Sequence, residues 1–148
     1  MRVRPGTDVD SPRSPRCYIT TDLDANQITA FHPGAMNESW RLEVPADGGI
    51  TIGVLAPDGR DGMIAHADQF ARAKIPFIFD PGQAMTLFGG PELGKFVEQA
   101  TWVTVNDYEG KLIEEKTGHS LEAIAAKVRA LFVTRGAEGS TIYMGGQR

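Results

Sequence analysis

The chain has 148 residues, 41% of them hydrophobic, which suits a single domain with a substantial buried core. A formal net charge of −4, with no block of basic residues, argues against nucleic acid or an anionic membrane as the main partner. The single cysteine excludes an internal disulfide, and no apolar stretch approaches the roughly 20 residues that span a bilayer. No secretory segment follows Met1, so we expect a cytoplasmic protein.

Three regions follow one another along the chain. Residues 1–16 hold three prolines and four arginines without apolar periodicity, and we expect no fixed structure there. Two β-rich runs, 17–21 and 27–31, flank a polar turn and predict a hairpin. A lone hairpin is marginal in water, so it needs a sheet or a partner chain. This hairpin and the connection after it, in which 36–49 is hard to assign, make up a region 17–49.

Strand and helix patterns alternate over the third region, 50–148. Short apolar runs predict strands at 50–55, 75–80, 102–105 and 131–134, and a second strand follows the last one after a tight turn. Helical spacing predicts helices over 60–73 up to Pro76, from Pro91, from Asn106 to about Lys116, and after Ser120. The order β-α-β-α-β-α-α-β predicts a mainly parallel sheet with right-handed crossovers.

Three predicted strands end in a polar residue. Asp80 and Asn106 are 26 residues apart, and Asn106 and Thr134 are 28 apart, which is the length of one strand-helix unit. Because parallel strands end at a common edge, we expect these three residues to lie along one rim of the sheet, where α/β proteins bind ligands.

Each of these polar residues at a strand end has a structural and a functional interpretation. Asn106 with Glu109 can be a helix capping box, or Glu109 can orient water around Mg²⁺ while Asn106 bonds a phosphate oxygen or that water. Asp80-Pro-Gly can be a turn, or a carboxylate held near a cation. The run 134–139 can be a hairpin turn, or a loop in which the Thr134 hydroxyl and the amides around Gly136 hold phosphate oxygens. Together, the three favour a nucleotide site.

In this order, the motifs resemble those of the ribokinase (PfkB-type) family of carbohydrate and nucleoside kinases, especially bacterial adenosine-kinase-like members. The resemblance runs from about Cys17 to Gly146. It rests on the lid-like hairpin, on Phe-Ile-Phe-Asp-Pro-Gly-Gln ending at Gln83, on Asn-Asp-Tyr-Glu ending at Glu109, and on Val-Thr-Arg-Gly-Ala-Glu-Gly ending at Gly139.

The resemblance implies a three-layer α/β, Rossmann-like fold with a mainly parallel sheet flanked by helices, a β-hairpin lid, and truncation at both ends. It implies transfer of phosphate from ATP, with Mg²⁺, to the hydroxymethyl group of a sugar or nucleoside, adenosine favoured. Glu109 would act on the metal through water, and Asp80 would be accessory. The ATP site would be bordered by Asn106, Thr134, Arg135, Gly136, Ala137, Glu138 and Gly139. The hairpin would cover the substrate and offers a homodimer contact.

Two signatures of the family are missing from these residues. The Gly-Gly substrate signature is not found ahead of the hairpin, and the Gly-Ala-Gly-Asp signature that carries the general base is not found after Gly139. We therefore expect a fragment without a catalytic base or turnover, with an apolar sheet edge and face left uncovered. The alternative hypothesis is a non-catalytic nucleotide-binding or interaction module derived from the same fold.

Overall fold

The computed structural model describes residues 14–23 and 27–145. Strand β1 (Arg16–Thr21) pairs antiparallel with β2 (Gln27–His32) in a separate two-stranded sheet, which is the predicted hairpin. We expected no fixed structure over residues 1–16. Residues 1–13 lie outside the described residues, and Arg16 is the first residue of β1, so the strand begins one residue earlier than predicted. The tip of the hairpin, 24–26, also lies outside the described residues.

In the described part of the chain, the second sheet has five strands in chain order. They are β3 (Gly53–Leu55), β4 (Phe77–Phe79), β5 (Trp102–Asn106), β6 (Ala130–Thr134) and β7 (Ser140–Met144). The first four are parallel, as predicted, and β7 is antiparallel to β6. Strands β3 and β4 are shorter than predicted. The amide of Ile75 donates to Phe70 O at the end of a helix, at 3.0 Å, so the ladder between the two strands begins only at the pair Gly53 and Phe77.

Within the described residues, four α-helices connect these strands: α1 (Arg60–Ala73), α2 (Gly90–Gln99), α3 (Asp107–Thr117) and α4 (Leu121–Ala125). Three 3-10 segments, 34–41, 82–87 and 136–138, complete the described elements. Helix α1 has its predicted bounds but ends through a left-handed Lys74, with φ of 55°, two residues before Pro76. Helix α3 ends at the predicted Gly118, whose φ of 70° suits glycine.

The described helices α1, α2 and α3 pack on one face of the five-stranded sheet. Phe70 of α1 stacks on Phe77 at 5.3 Å between ring centroids, and Phe96 of α2 stacks on Phe79 at 4.9 Å. Consecutive parallel strands joined by right-handed crossovers place their helices on the same side, which accounts for this arrangement. The other face keeps apolar side chains accessible, with Val54 59% and Ile142 43% exposed.

No helix in the described ranges is long and apolar enough to cross a membrane.

A polar contact links α1 to α2 outside the core. The Asp68 carboxylate accepts a hydrogen bond from Lys95 Nζ at Oδ2, 3.2 Å away, and one from Gln99 Nε2 at Oδ1, 2.6 Å away. The hydrogen bond from Lys95, followed by that from Gln99, holds the pKa of Asp68 below its ordinary value. A carboxyl group with a lowered pKa adds stability above its ordinary pKa and loses it as the pH falls.

Asp68→Asn therefore lowers the free energy of unfolding at pH 7 by about 0.5 kcal/mol, because the pair is partly exposed and screened. The difference from the parent chain shrinks as the pH falls below the ordinary pKa of about 3.9, and it is lost once the pH is also below the lowered pKa of the folded state. Urea unfolding at several pH values measures it, with Asp47→Asn in an exposed turn as the control. An equal difference at pH 7 and pH 3 would contradict the assignment.

Candidate functional site

The three polar residues predicted at strand ends, Asp80, Asn106 and Thr134, lie at one edge of the sheet. Strands β4, β5 and β6 are parallel, so their carboxyl ends point the same way, and Asn106 is the register partner of Thr134. Phe79 pairs with Val103, which places Asp80 level with Thr104, two residues short of Asn106. Asn106 and Thr134 therefore lie side by side at this rim, and Asp80 lies two residues further from the edge.

Asn106 and Glu109 form a complete capping box at the start of α3. Asn106 Oδ1 accepts the Glu109 amide at 2.7 Å, and Glu109 Oε2 accepts the Asn106 amide at 2.8 Å. This confirms the structural interpretation of the motif. Within the described residues, Asn106 Nδ2 and Glu109 Oε1 have no hydrogen-bond partner, so each side chain keeps one polar atom for a ligand while the cap fixes its orientation.

Asp80 sits in a tight turn after β4. Its amide donates to Leu55 O at 2.9 Å, and the turn comes so close to the end of β3 that a Cβ on Gly82 would lie 2.6 Å from Pro57 Cγ. Gly82 also has a positive φ of 44°, so glycine suits this position on both grounds. Burial raises the pKa of Asp80, and a hydrogen bond from the Gly82 backbone opposes that rise. The turn holds this half-buried carboxyl group in place.

The run 135–139 closes the hairpin between β6 and β7. The Arg135 amide donates to Gly139 O at 2.8 Å, and the Glu138 amide donates to Arg135 O at 3.0 Å. Gly136 and Gly139 have φ of 55° and 86°, so the predicted turn is present. The amides of Gly136 and Ala137 are the first of a 3-10 segment and have no partner inside it, which leaves them for an anion.

A fourth strand exit lies at the same edge and was not among the predicted site residues. Strand β3 is followed by Ala56, Pro57 and Asp58, and these residues line a cleft of about 240 Å³. Its other lining residues are Val44, Val54, Leu55, His66 and Phe70. The sequence carries a signal for this site, because Pro57-Asp58-Gly59 comes soon after a strand, as Asp80-Pro81-Gly82 does.

Metal ligands are sparse at this edge. In residues 14–23 and 27–145, no group of three or more His, Cys, Asp or Glu side chains is placed to hold a metal ion. A magnesium ion bound largely through water and substrate phosphates needs only one or two carboxylates, so Glu109 and Asp80 suit such an ion.

Comparisons with known proteins place this geometry in a family. The structure of Burkholderia thailandensis nucleoside kinase in complex with inosine is 50% identical, with a TM-score of 0.85 over 88% of this chain and 43% of that kinase. Thermoplasma acidophilum nucleoside kinase is 31% identical over 134 residues, which are 90% of this chain and 42% of that protein. The Methanocaldococcus jannaschii nucleoside kinase structure, described as an archaeal member of the ribokinase family, is 26% identical with a TM-score of 0.82 over 92% of this chain and 45% of that one.

No family model matches the sequence. The sequence and structural matches nevertheless agree, and the chain belongs to the ribokinase (PfkB-type) family. Its fold is the three-layer α/β fold of that family, and α1, α2 and α3 form the layer on one face of the sheet. The chain spans less than half the length of each of the three relatives above. The Burkholderia kinase also has a structure in complex with ADP-inosine.

The capping interaction can be measured separately from any ligand. Asn106→Ala removes the acceptor of the Glu109 amide, and we expect it to lower the free energy of unfolding by about 1 kcal/mol. Asn106→Asp keeps an oxygen at the same place and should stay near the parent chain. Urea denaturation of the three proteins compares them, and an alanine variant as stable as the parent would show that the cap contributes nothing.

Proposed function

We propose that this chain is part of an ATP-dependent kinase that phosphorylates the hydroxymethyl group of a nucleoside. The observation that carries the proposal is the 50% identity to a nucleoside kinase with structures in complex with inosine and ADP-inosine. The rim formed by Asp80, Asn106 and Thr134 supports it from the chain's own residues, because it offers polar groups where an anionic, metal-bound nucleotide would lie.

The phosphate chain of ATP would lie between the start of α3 and the loop 134–139. The free amides of Gly136 and Ala137 suit phosphate oxygens, and Arg135 beside them brings a positive charge. The Thr134 hydroxyl would donate to the same ligand. Glu138 and Gly139 complete the border of the site, Gly139 through the hydrogen bond that closes the loop.

The capping box would serve the metal as well as the helix. Magnesium, when bound, neutralises charge on the phosphate oxygens. Glu109 Oε1 would accept from a water of that ion, and Asn106 Nδ2 would donate to a phosphate oxygen. The N-terminus of α3 adds a favourable dipole for the anion. The raised pKa of Asp80 marks it as a carboxyl group whose charge a nearby cation would stabilise, which suits an accessory role.

The substrate proton needs an acceptor, and the Gly-Ala-Gly-Asp signature that carries the general base in the family is not found after Gly139. Asp80 and Glu109 are assigned to the metal side of the site, so neither is proposed as the general base. A general base and an anion hole each typically contribute about a hundredfold or more. The 148 residues alone should therefore bind nucleotide without useful turnover, and the substrate we favour for the whole kinase is a purine nucleoside, adenosine or inosine.

Two arginines flank β6, and substituting each of them tests the proposed nucleotide site. Arg135 follows the strand at the proposed site, and Arg129 precedes it at the opposite edge, where its amide donates to Thr101 O. Arg135→Ala should weaken Mg·ATP binding about tenfold or more through loss of a charge-assisted hydrogen bond, while Arg129→Ala leaves it unchanged. Isothermal titration calorimetry measures both.

Equal effects of the two substitutions would refute the proposed ATP site. A kinase assay with adenosine and inosine accompanies the titration and tests the absence of turnover. Stoichiometric phosphorylation by these 148 residues would overturn the expected lack of turnover and would show that they supply a general base. Binding without turnover by a full-length protein would instead favour a non-catalytic nucleotide-binding module.

The hairpin has exposed apolar side chains on both faces, and each face can contact a substrate or a second chain. Its register places Ile19 and Phe31 on one face and Tyr18 and Ile28 on the other, all 51–78% exposed. A strand pair with apolar side chains on both faces is stabilised by cover on both. We infer that one face covers the nucleoside and that the other contacts a second copy of the chain.

Sedimentation velocity over a range of concentrations tests the dimer. Tyr18→Ser and Ile19→Ser each remove one apolar side chain from one face, and we expect one of them to shift the chain toward monomer while the other does not. A parent chain that is monomeric at every concentration would contradict the proposed homodimer.

A further inference from the structure

Helix α1 has a second packed side besides its core face. Met63, Ala67 and Phe70 point into the core, whereas Gly62, His66 and Gln69 recur at spacings of four and three and lie on another side of the helix. The segment 34–44, which we call the strap, contacts this side along its length. The strap consists of the 3-10 segment Gly34–Arg41 and the three residues after it.

The first part of the strap rests on two glycines. A Cβ on Gly59, the residue that precedes α1, would lie 2.7 Å from Met36 O, and one on Gly62 would lie 1.9 Å from Ser39 Oγ. Gly62 is inside the helix, where alanine is more favourable than glycine. The close approach of Ser39 is a physical reason for glycine at that position.

The second part of the strap is held by two side chains. His66 Nε2 lies 3.0 Å from Leu42 O, and because a carbonyl oxygen can only accept, Nε2 carries the proton in this contact. Gln69 Oε1 accepts the Val44 amide at 2.6 Å, and the Val44 side chain packs against the core. The strap is therefore fixed at its start by shape and at its end by hydrogen bonds.

The hairpin itself gains little from the core. Every residue of β1 is exposed, as are residues 28–32 of β2, and β2 ends at His32, two residues before the strap. The strap begins against Gly59, just after the carboxyl end of β3, so the base of the hairpin stands at the edge that carries the candidate site.

We infer that α1, through Gly62, His66 and Gln69, is the element that sets the position of the hairpin over the site edge. These three are positioning residues, since they act on the hairpin through the strap. The inference concerns where the hairpin stands, so it holds for a kinase lid and for a binding module alike. Failure of the proposed catalytic function would leave it intact.

Hydrogen exchange of the 148-residue chain tests the inference at Gly62. Gly62→Ala places a methyl group on Ser39, and we expect amides in 36–44 to exchange about tenfold faster, while β5 and β6 keep their protection. Gly94→Ala in α2 is the matched control, because nothing lies within 4 Å of a Cβ there. Unchanged exchange of the strap in Gly62→Ala would overturn the inference.

A second pair of variants avoids any change in the backbone of α1. Gln69→Leu keeps the size of the side chain but removes the acceptor, so the Val44 amide should lose protection about three- to tenfold, whereas Gln69→Glu keeps an acceptor and the protection. Equal exchange in the two variants would contradict the role of Gln69, even if Gly62→Ala failed to fold.

The position of the hairpin can be measured directly with the chain's single cysteine. Cys17 is exposed on β1, and Ala71→Cys adds a second label on the exposed side of α1. Pulsed electron resonance then gives the distance distribution between the labels. We expect Gly62→Ala to shift or broaden it and Gly94→Ala to leave it unchanged; the same distribution in both variants would overturn the inference.

Discussion

The parallel register between β5 and β6 is the constraint on which the rest of the site depends. It pairs Asn106 with Thr134, so the last residue of each strand is brought beside the other at one edge of the sheet. The start of α3 and the loop 135–139 follow directly from these two residues. A shift of the register by one residue would turn each side chain of the strand to the other face and separate the two groups.

The capping box shows that a structural and a functional interpretation of one motif can both hold. Asn106 and Glu109 each use one polar atom in the cap and keep another free within the described residues. A side chain held by a cap loses less freedom when it binds a ligand, because its conformation is already fixed. The cap that stabilises α3 is therefore also a means of preorganising the candidate site.

The sequence was most informative where local signals were strong. Helix α3 begins after Asn106 and ends at Gly118, as predicted. An N-cap side chain and a left-handed C-terminal glycine each contact only residues nearby in the sequence, so their effect can be predicted from local sequence. The ends of β3 and β4 could not be read in this way, because their ladder depends on a partner strand more than 20 residues away. Most of the strap cannot be assigned from the sequence, since a 3-10 segment has neither the helical nor the strand period and its contacts are with glycines at and before helix α1. The sequence predicts the common rim of the three strand ends. The position of Asp80, two residues behind Asn106, depends on the pairing of Phe79 with Val103, which the sequence does not show.

A nuclear magnetic resonance titration of the 148-residue chain with Mg·ATP shows which edge of the sheet binds the nucleotide. We expect the amides of Asn106, Gly136 and Ala137, at the carboxyl edge, to shift together and to saturate at one affinity. The amides of Trp102 and Ala130, at the amino ends of the same strands, should stay unchanged. Shifts confined to the amino edge, or no shifts at saturating nucleotide, would refute a nucleotide site at the carboxyl edge.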